Sequence, residues 1–120
     1  MEHRQKKILI ADDDPAILEV LTLFFEEVGY EVETTHDGLT LRTFEHGPPD
    51  LLLLDIWMSG WHGRDICRFL KSQEATKRLP IVLCSANRKT EQIAREAGAD
   101  DFISKPFDLA DLLAKIERYL

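Results

Sequence analysis

Three uninterrupted apolar runs in this sequence each end on a residue able to do chemistry. Ile8 to Ala11 runs into Asp12-Asp13-Asp14, Leu51 to Leu54 into Asp55, and Ile81 to Cys84 into Ser85, while a weaker run, Asp101 to Ser104, delivers Lys105. Carboxylates gathered in one place repel one another and stay ionised only beside a cation. A hard divalent ion, Mg2+ or Mn2+, suits two or three carboxylates because it takes oxygen ligands and keeps several waters. A lysine aimed at the same place would neutralise charge on a transferring phosphoryl group, and a serine hydroxyl would donate to one of its oxygens. Asp55, after the most central run, is then the expected nucleophile. Singly these residues mean little. Paired acids before a helix are ordinary capping and dipole partners, and an aspartate after a strand is ordinary turn chemistry. Only their joint occurrence, in this order, points to phosphoryl transfer.

Positioning these groups requires a particular architecture. Runs that do not alternate read as strands covered on both faces, here with Glu31 to Thr35 and Asp101 to Ser104 as two further strands. Between them Ile17, Leu21, Phe24, Phe25 and Val28 repeat at helical spacing, as do Leu109, Leu112, Leu113 and Ile116. Asp14-Pro15 reads as N-cap and first-turn proline, Gly29 as the stop, and Asp108 as the cap of the last helix. Shorter helices are expected over Leu39 to Glu45, Arg64 to Lys71 and Thr90 to Ala97, with turns at Gly47-Pro48-Pro49, Leu79-Pro80 and Gly98. Five strand-helix units predict an α/β, doubly wound sandwich with a parallel sheet and right-handed crossovers. In such sheets ligands bind beyond the carboxyl ends of the strands, where the acids, Ser85 and Lys105 fall.

Composition narrows the classes further. The 120 residues read as one domain over 1–120, and a net charge of -7 from 15 basic and 22 acidic residues disfavours direct nucleic-acid binding. No apolar run approaches the ~20 residues a membrane helix needs, and the charged start, Met1 to Lys7, lacks a secretory signal. A cytoplasmic location is expected. Cys67 and Cys84 form no metal-like spacing and read as buried small hydrophobes. His3, His36, His46 and His62 read as solvated.

The segments Ile8-Leu9-Ile10-Ala11-Asp12-Asp13-Asp14-Pro15, Pro49-Asp50-Leu51-Leu52-Leu53-Leu54-Asp55, Cys84-Ser85-Ala86 and Gly98-Ala99-Asp100-Asp101-Phe102-Ile103-Ser104-Lys105-Pro106-Phe107, taken in order, resemble the response-regulator receiver domains of two-component signalling. The resemblance covers nearly the whole chain. It implies a flavodoxin-like (βα)5 fold, similar to chemotaxis regulators, with sheet order 2-1-3-4-5. It makes Asp12 and Asp13 the acidic pair holding the metal together with Asp55 and the backbone carbonyl of Trp57. Asp55 becomes the phosphoacceptor, Lys105 the phosphate-binding lysine, Ser85 the switch hydroxyl and Phe102 the switch aromatic. Pro106 would follow a cis peptide that aims Lys105, while Trp57 and Asn87 would flank the path of hydrolytic water.

The implied partner is a histidine kinase or histidine phosphotransfer protein. Homodimerisation or effector docking is expected through helix four, strand five and helix five, with no direct nucleic-acid or membrane contact. The chain is expected to be a signalling switch that catalyses its own aspartyl phosphorylation and dephosphorylation and is not an enzyme. The pattern departs from the family at Ser59, where proline is usual, and at His62, near which an acid is usual. A haloacid-dehalogenase-type enzyme would need an acid at Trp57, a nucleotide or flavin module would need a glycine-rich phosphate loop, and a pseudo-receiver would lack part of the Asp12, Asp13, Asp55, Ser85 and Lys105 set.

Overall fold

A computed structural model describes all of the chain except residues 1–4, 43, 45, 46 and 59. The main strands are β1 (Lys7–Ala11), β2 (Glu31–Thr35), β3 (Leu51–Asp55), β6 (Ile81–Ser85) and β7 (Asp101–Ser104). All their pairings are parallel and their order is β2-β1-β3-β6-β7, the expected 2-1-3-4-5 once two short strands are set aside. Those are β4 (Trp57–Met58) and β5 (Trp61–His62), an antiparallel pair that the sequence reading did not foresee. The helices are α1 (Pro15–Val28), α2 (Gly63–Ser72), α3 (Thr90–Ala97) and α4 (Leu109–Glu117). The expected helix four, strand five and helix five are thus α3, β7 and α4.

Burial on both faces explains the uninterrupted runs. Successive strand residues point to opposite sides, so Leu52 and Leu54 join a core with Ile66, Cys67 and Leu70 of α2 and Ala94 of α3. Leu51 and Leu53 join a second core with Leu21 and Phe25 of α1 and Leu112 and Ile116 of α4. β1 and β6 split in the same way. β2, at the sheet edge, is largely exposed and carries no apolar run.

The caps stand where the sequence places them. The Asp14 carboxylate accepts from the Ala16 N–H at 2.9 Å, Pro15 opens α1, and Gly29 closes it at φ 118°, a left-handed conformation that glycine adopts without a Cβ clash. Asp108 accepts from Ala110 N and Asp111 N. Two expectations change. Val28 of the α1 pattern is exposed, since the helix turns only Leu21 and Phe25 fully inward. In place of a helix over Leu39 to Glu45 there is a 3-10 turn, Gly38–Arg42, and the rest of that stretch includes residues outside the described set. Its entry is pinned by Gly38, where a Cβ would meet the Trp61 Cβ at 2.7 Å. Among the described residues no helix is long and apolar enough to cross a membrane.

Candidate functional site

The alternation that fills the second core also builds the site. Ile8 and Ile10 on β1 lead by twos to Asp12, Leu51 and Leu53 on β3 to Asp55, Val82 on β6 to Cys84, and Ile103 on β7 to Lys105. Each strand therefore ends its inward-facing series with a polar group at the same edge. Asp12 and Asp55 are 2% and 7% exposed. Lys105 Nζ donates to Asp12 Oδ2 at 2.7 Å and stands 3.6 Å from Asp55 Oδ2. The second Asp12 oxygen accepts the Asp14 N–H at 2.9 Å, and Asp55 Oδ1 accepts the Trp57 N–H at 3.4 Å. Close approach of the chain is possible because Gly63 lies against the Asp55 carbonyl, which an added Cβ would meet at 2.6 Å.

The electrostatics ask for more positive charge. Burial, followed by repulsion from Asp12 and more weakly from Asp13, pushes the Asp55 carboxyl above its ordinary range despite the nearby Lys105. Burial alone would lower the Lys105 ammonium; the hydrogen bond to Asp12 and the surrounding negative groups outweigh it, and its pKa rises. Asp13 lies on the exposed rim, close enough to act on Asp55 but outside the tight group formed by Asp12 and Asp55 with Cys84. Oxygen donors, excess negative charge and one contacting lysine fit a hard divalent ion.

The remaining candidates surround this centre. Ser85 is buried, and its Oγ accepts the Asn87 N–H at 3.0 Å. Asn87 is half-buried, its side-chain oxygen bound to Lys89 N. Trp57 is 53% exposed, and Lys105–Pro106 is a cis peptide. Phe102 is half-buried on β7. Lys115 Nζ holds its carbonyl at 2.7 Å and stands 5.0 Å from its ring centroid.

Sequence reasoning missed three neighbours of the candidate site. Lys115, not singled out in the sequence, also reaches Asp101 at 3.2 Å. Cys84 is buried as expected, but its sulfur and one oxygen each of Asp12 and Asp55 lie within 4.8 Å of one another; strand parity from Asp55 and Lys105 was the available signal. His62, expected to be solvated, is half-buried and caps α2, its Nδ1 accepting the Arg64 N–H at 3.1 Å. Its ring meets Trp57 edge to face at 4.5 Å. Burial first, then Arg64, lowers its pKa. Its place just before Gly63, where α2 begins, was the clue. His36 is exposed, whereas His3, His46 and Ser59 lie outside the described residues.

Known proteins resemble this chain in sequence and fold. Residues 8–117 match the family profile of the response regulator receiver domain. The DNA-binding response regulator MtrA of Mycolicibacterium smegmatis is 34% identical over the whole chain, which covers 53% of that protein; the chain thus spans about half the length of such a relative. The chemotaxis response regulator CheY4 of Vibrio cholerae superposes with a TM-score of 0.88 at 28% identity, covering 98% of this chain and all of that one. The receiver domain of the Pseudomonas aeruginosa sensor histidine kinase PA1611, whose structure has a magnesium ion coordinated in the active-site cleft, gives 0.86 at 28% identity, covering 97% and 98%. The family match overturns one expectation. Receiver domains phosphorylate and dephosphorylate themselves, so catalysis belongs to the switch, and the statement that the chain is not an enzyme is withdrawn. The chain belongs to the response-regulator receiver family of two-component signalling.

Proposed function

We propose that this domain, spanning residues 1–120, accepts a phosphoryl group on Asp55 from a histidine kinase or histidine phosphotransfer protein in the cytoplasm, with Mg2+ or Mn2+ as cofactor. The observation that carries the reading is the half-buried Lys105 ammonium, 2.7 Å from Asp12 and 3.6 Å from Asp55 at the carboxyl edge of the sheet. An Asp55 oxygen attacks phosphorus, and the bond from phosphorus to the donor's imidazole nitrogen breaks. Lys105 offsets charge on the phosphoryl oxygens, and Ser85 donates its hydroxyl to one of them. Asp12, Asp13, Asp55 and the Trp57 carbonyl would hold the ion, which supplies further neutralisation of the phosphoryl oxygens. Attack of water on phosphorus restores the carboxylate, on a path flanked by Trp57 and Asn87.

Output runs through the surface of α3, β7 and α4. Ser85 moving toward the phosphoryl group frees space that Phe102 enters, and this surface changes for a second copy or an effector, without direct contact to nucleic acid or membrane. Differential stabilisation of one of two states suffices. The test is intact-mass measurement after incubation with acetyl phosphate, with and without chelator. One added phosphoryl group is expected, absent in Asp55→Asn and strongly reduced in Lys105→Ala; labelling of Asp55→Asn at the wild-type level refutes the assignment.

A further inference from the structure

Phosphoryl transfer uses no sulfur, yet Cys84 places one at the base of the site. Its side chain leaves β6 on the face that carries Asp55, its register neighbour on β3. The residue is 3% exposed, and among the described residues its thiol makes no hydrogen bond. Cys67, by contrast, donates to the Ala97 carbonyl. A buried, unpartnered thiol facing two buried carboxylates is a mixed sulfur and oxygen donor set.

We propose that Asp12, Asp55 and Cys84 form a coordination site for a thiophilic divalent cation such as Zn2+ or Cd2+, overlapping the phosphoacceptor. Zinc bound to thiolate at about 2.3 Å and to carboxylate at about 2.0 Å leaves a fourth position for water. The three donors, already within 4.8 Å of one another, need only close around the ion while Lys105 yields its place on Asp12. A hard ion makes no use of sulfur, so Cys84 separates this site from that of Mg2+. Burial holds the thiol pKa up at about 12, so without metal the sulfur keeps its proton. Binding forms the metal–sulfur bond and releases that proton to solvent. With one Asp55 oxygen on the ion, the carboxylate is no longer free to attack phosphorus. The soft ion is thus an inhibitor of loading, a consequence that rests on the phosphotransfer reading, whereas the donor geometry does not.

Titration of the chain with Cd2+, followed by sulfur-to-metal charge-transfer absorbance, tests the site. A band saturating at one ion per chain is expected. It should disappear in Cys84→Val and in Cys84→Ala, persist in Cys67→Val, and require at least about tenfold more metal in Asp55→Asn, since even outer partners of a ligand are worth 10- to 100-fold in affinity. Circular dichroism checks that each variant folds. No band in the wild type, a full band in either folded Cys84 variant, or a band lost only with Cys67 overturns the site. In parallel, the Zn2+ concentration that halves loading from acetyl phosphate should rise at least about tenfold in Cys84→Val, measured against that variant's own zinc-free rate. A band without any wild-type phosphorylation leaves the metal site standing and removes the phosphotransfer reading. Phosphorylation without a band removes the metal site alone.

Discussion

Replacing Lys115 by methionine keeps an apolar stem on α4 and deletes a charge that three groups share. The ammonium donates to the Phe102 carbonyl at 2.7 Å, pairs with Asp101 at 3.2 Å and lies 5.0 Å from the Phe102 ring centroid. A net charged hydrogen bond contributes about 1.5 kcal/mol, a partly exposed ion pair about 0.5 kcal/mol, and an exposed cation–π contact about 0.5 kcal/mol. These share one ammonium and do not add fully. Asp101 also keeps the Tyr119 hydroxyl at 2.9 Å and the Phe102 N–H at 2.8 Å, so it is not stranded. A loss of about 1.5 kcal/mol is expected, lowering Tm by about 6 °C for a domain of this size.

The same ammonium clasps Phe102 at both its carbonyl and its ring, so it favours the present placement of that side chain over an inward one. If about 1 kcal/mol of the loss falls on that preference, the balance between the two states moves about fivefold toward the inward one. Thermal denaturation measures the first quantity. Chemical shifts of the Phe102 ring during titration with beryllofluoride measure the second, as a several-fold lower midpoint. A Lys115→Met chain as stable as the wild type, with unchanged Phe102 resonances, would show that the ammonium is a surface ornament and that Phe102 is held by packing alone.

The His62 imidazole titrates below its ordinary range because burial disfavours its charged form. The unfolded chain therefore binds the proton more readily, and the stability His62 contributes is present above about pH 6.5 and lost as pH falls through that value toward the folded pKa. His62→Asn keeps a capping oxygen without the titration, so urea denaturation should show a flatter acid limb than wild type; identical limbs would mean that the cap survives protonation. Trp57→Ala should lose its phosphoryl group several-fold faster, corresponding to about 1 kcal/mol of barrier, because indole bulk next to the acyl phosphate crowds out water. Phosphate loss no faster than in wild type, followed by intact mass, would place the indole away from the water path.

The legible parts of this chain are those governed by short-range rules. Parallel strands buried on both faces must be apolar at every position, so Leu51 to Leu54 could hardly be read otherwise. Asp14, Pro15, Gly29 and Asp108 announce helix ends by the backbone geometry and hydrogen bonds that only such residues supply. What escaped depends on partners distant in sequence. Lys115 meets Phe102 and Asp101 only when α4 folds back along β7. The pairing of Trp57 with His62 requires the chain to reverse at Gly60, φ 82°, and no apolar alternation of useful length marks two-residue strands. His62 was misread because histidine is an uncommon cap, and its capping nitrogen is visible only once α2 is known to begin at Gly63. Val28 keeps the helical spacing yet is exposed, because spacing fixes a stripe but not its width.

Strand parity also sets the electrostatic problem the site must solve. The face that ends in Asp12, Asp55 and Lys105 is the face covered by Leu21 and Phe25 of α1 and by Leu112 and Ile116 of α4, so the carboxylates stand on an apolar floor. That floor raises the pKa of Asp55 and strengthens every charge that approaches it. One lysine offsets only part of the negative charge of Asp12, Asp13 and Asp55. On the proposed function, a divalent ion would lower the free energy of the ionised cluster and keep Asp55 available as a nucleophile, and a transferred phosphoryl group would then enter a place arranged for oxygen anions. Cys84 belongs to the same floor, where an alkyl side chain would serve the packing equally well. A sulfur there leaves the apolar character of the floor nearly unchanged until a soft ion arrives, and then it would turn the base of the proposed phosphoacceptor site into a ligand.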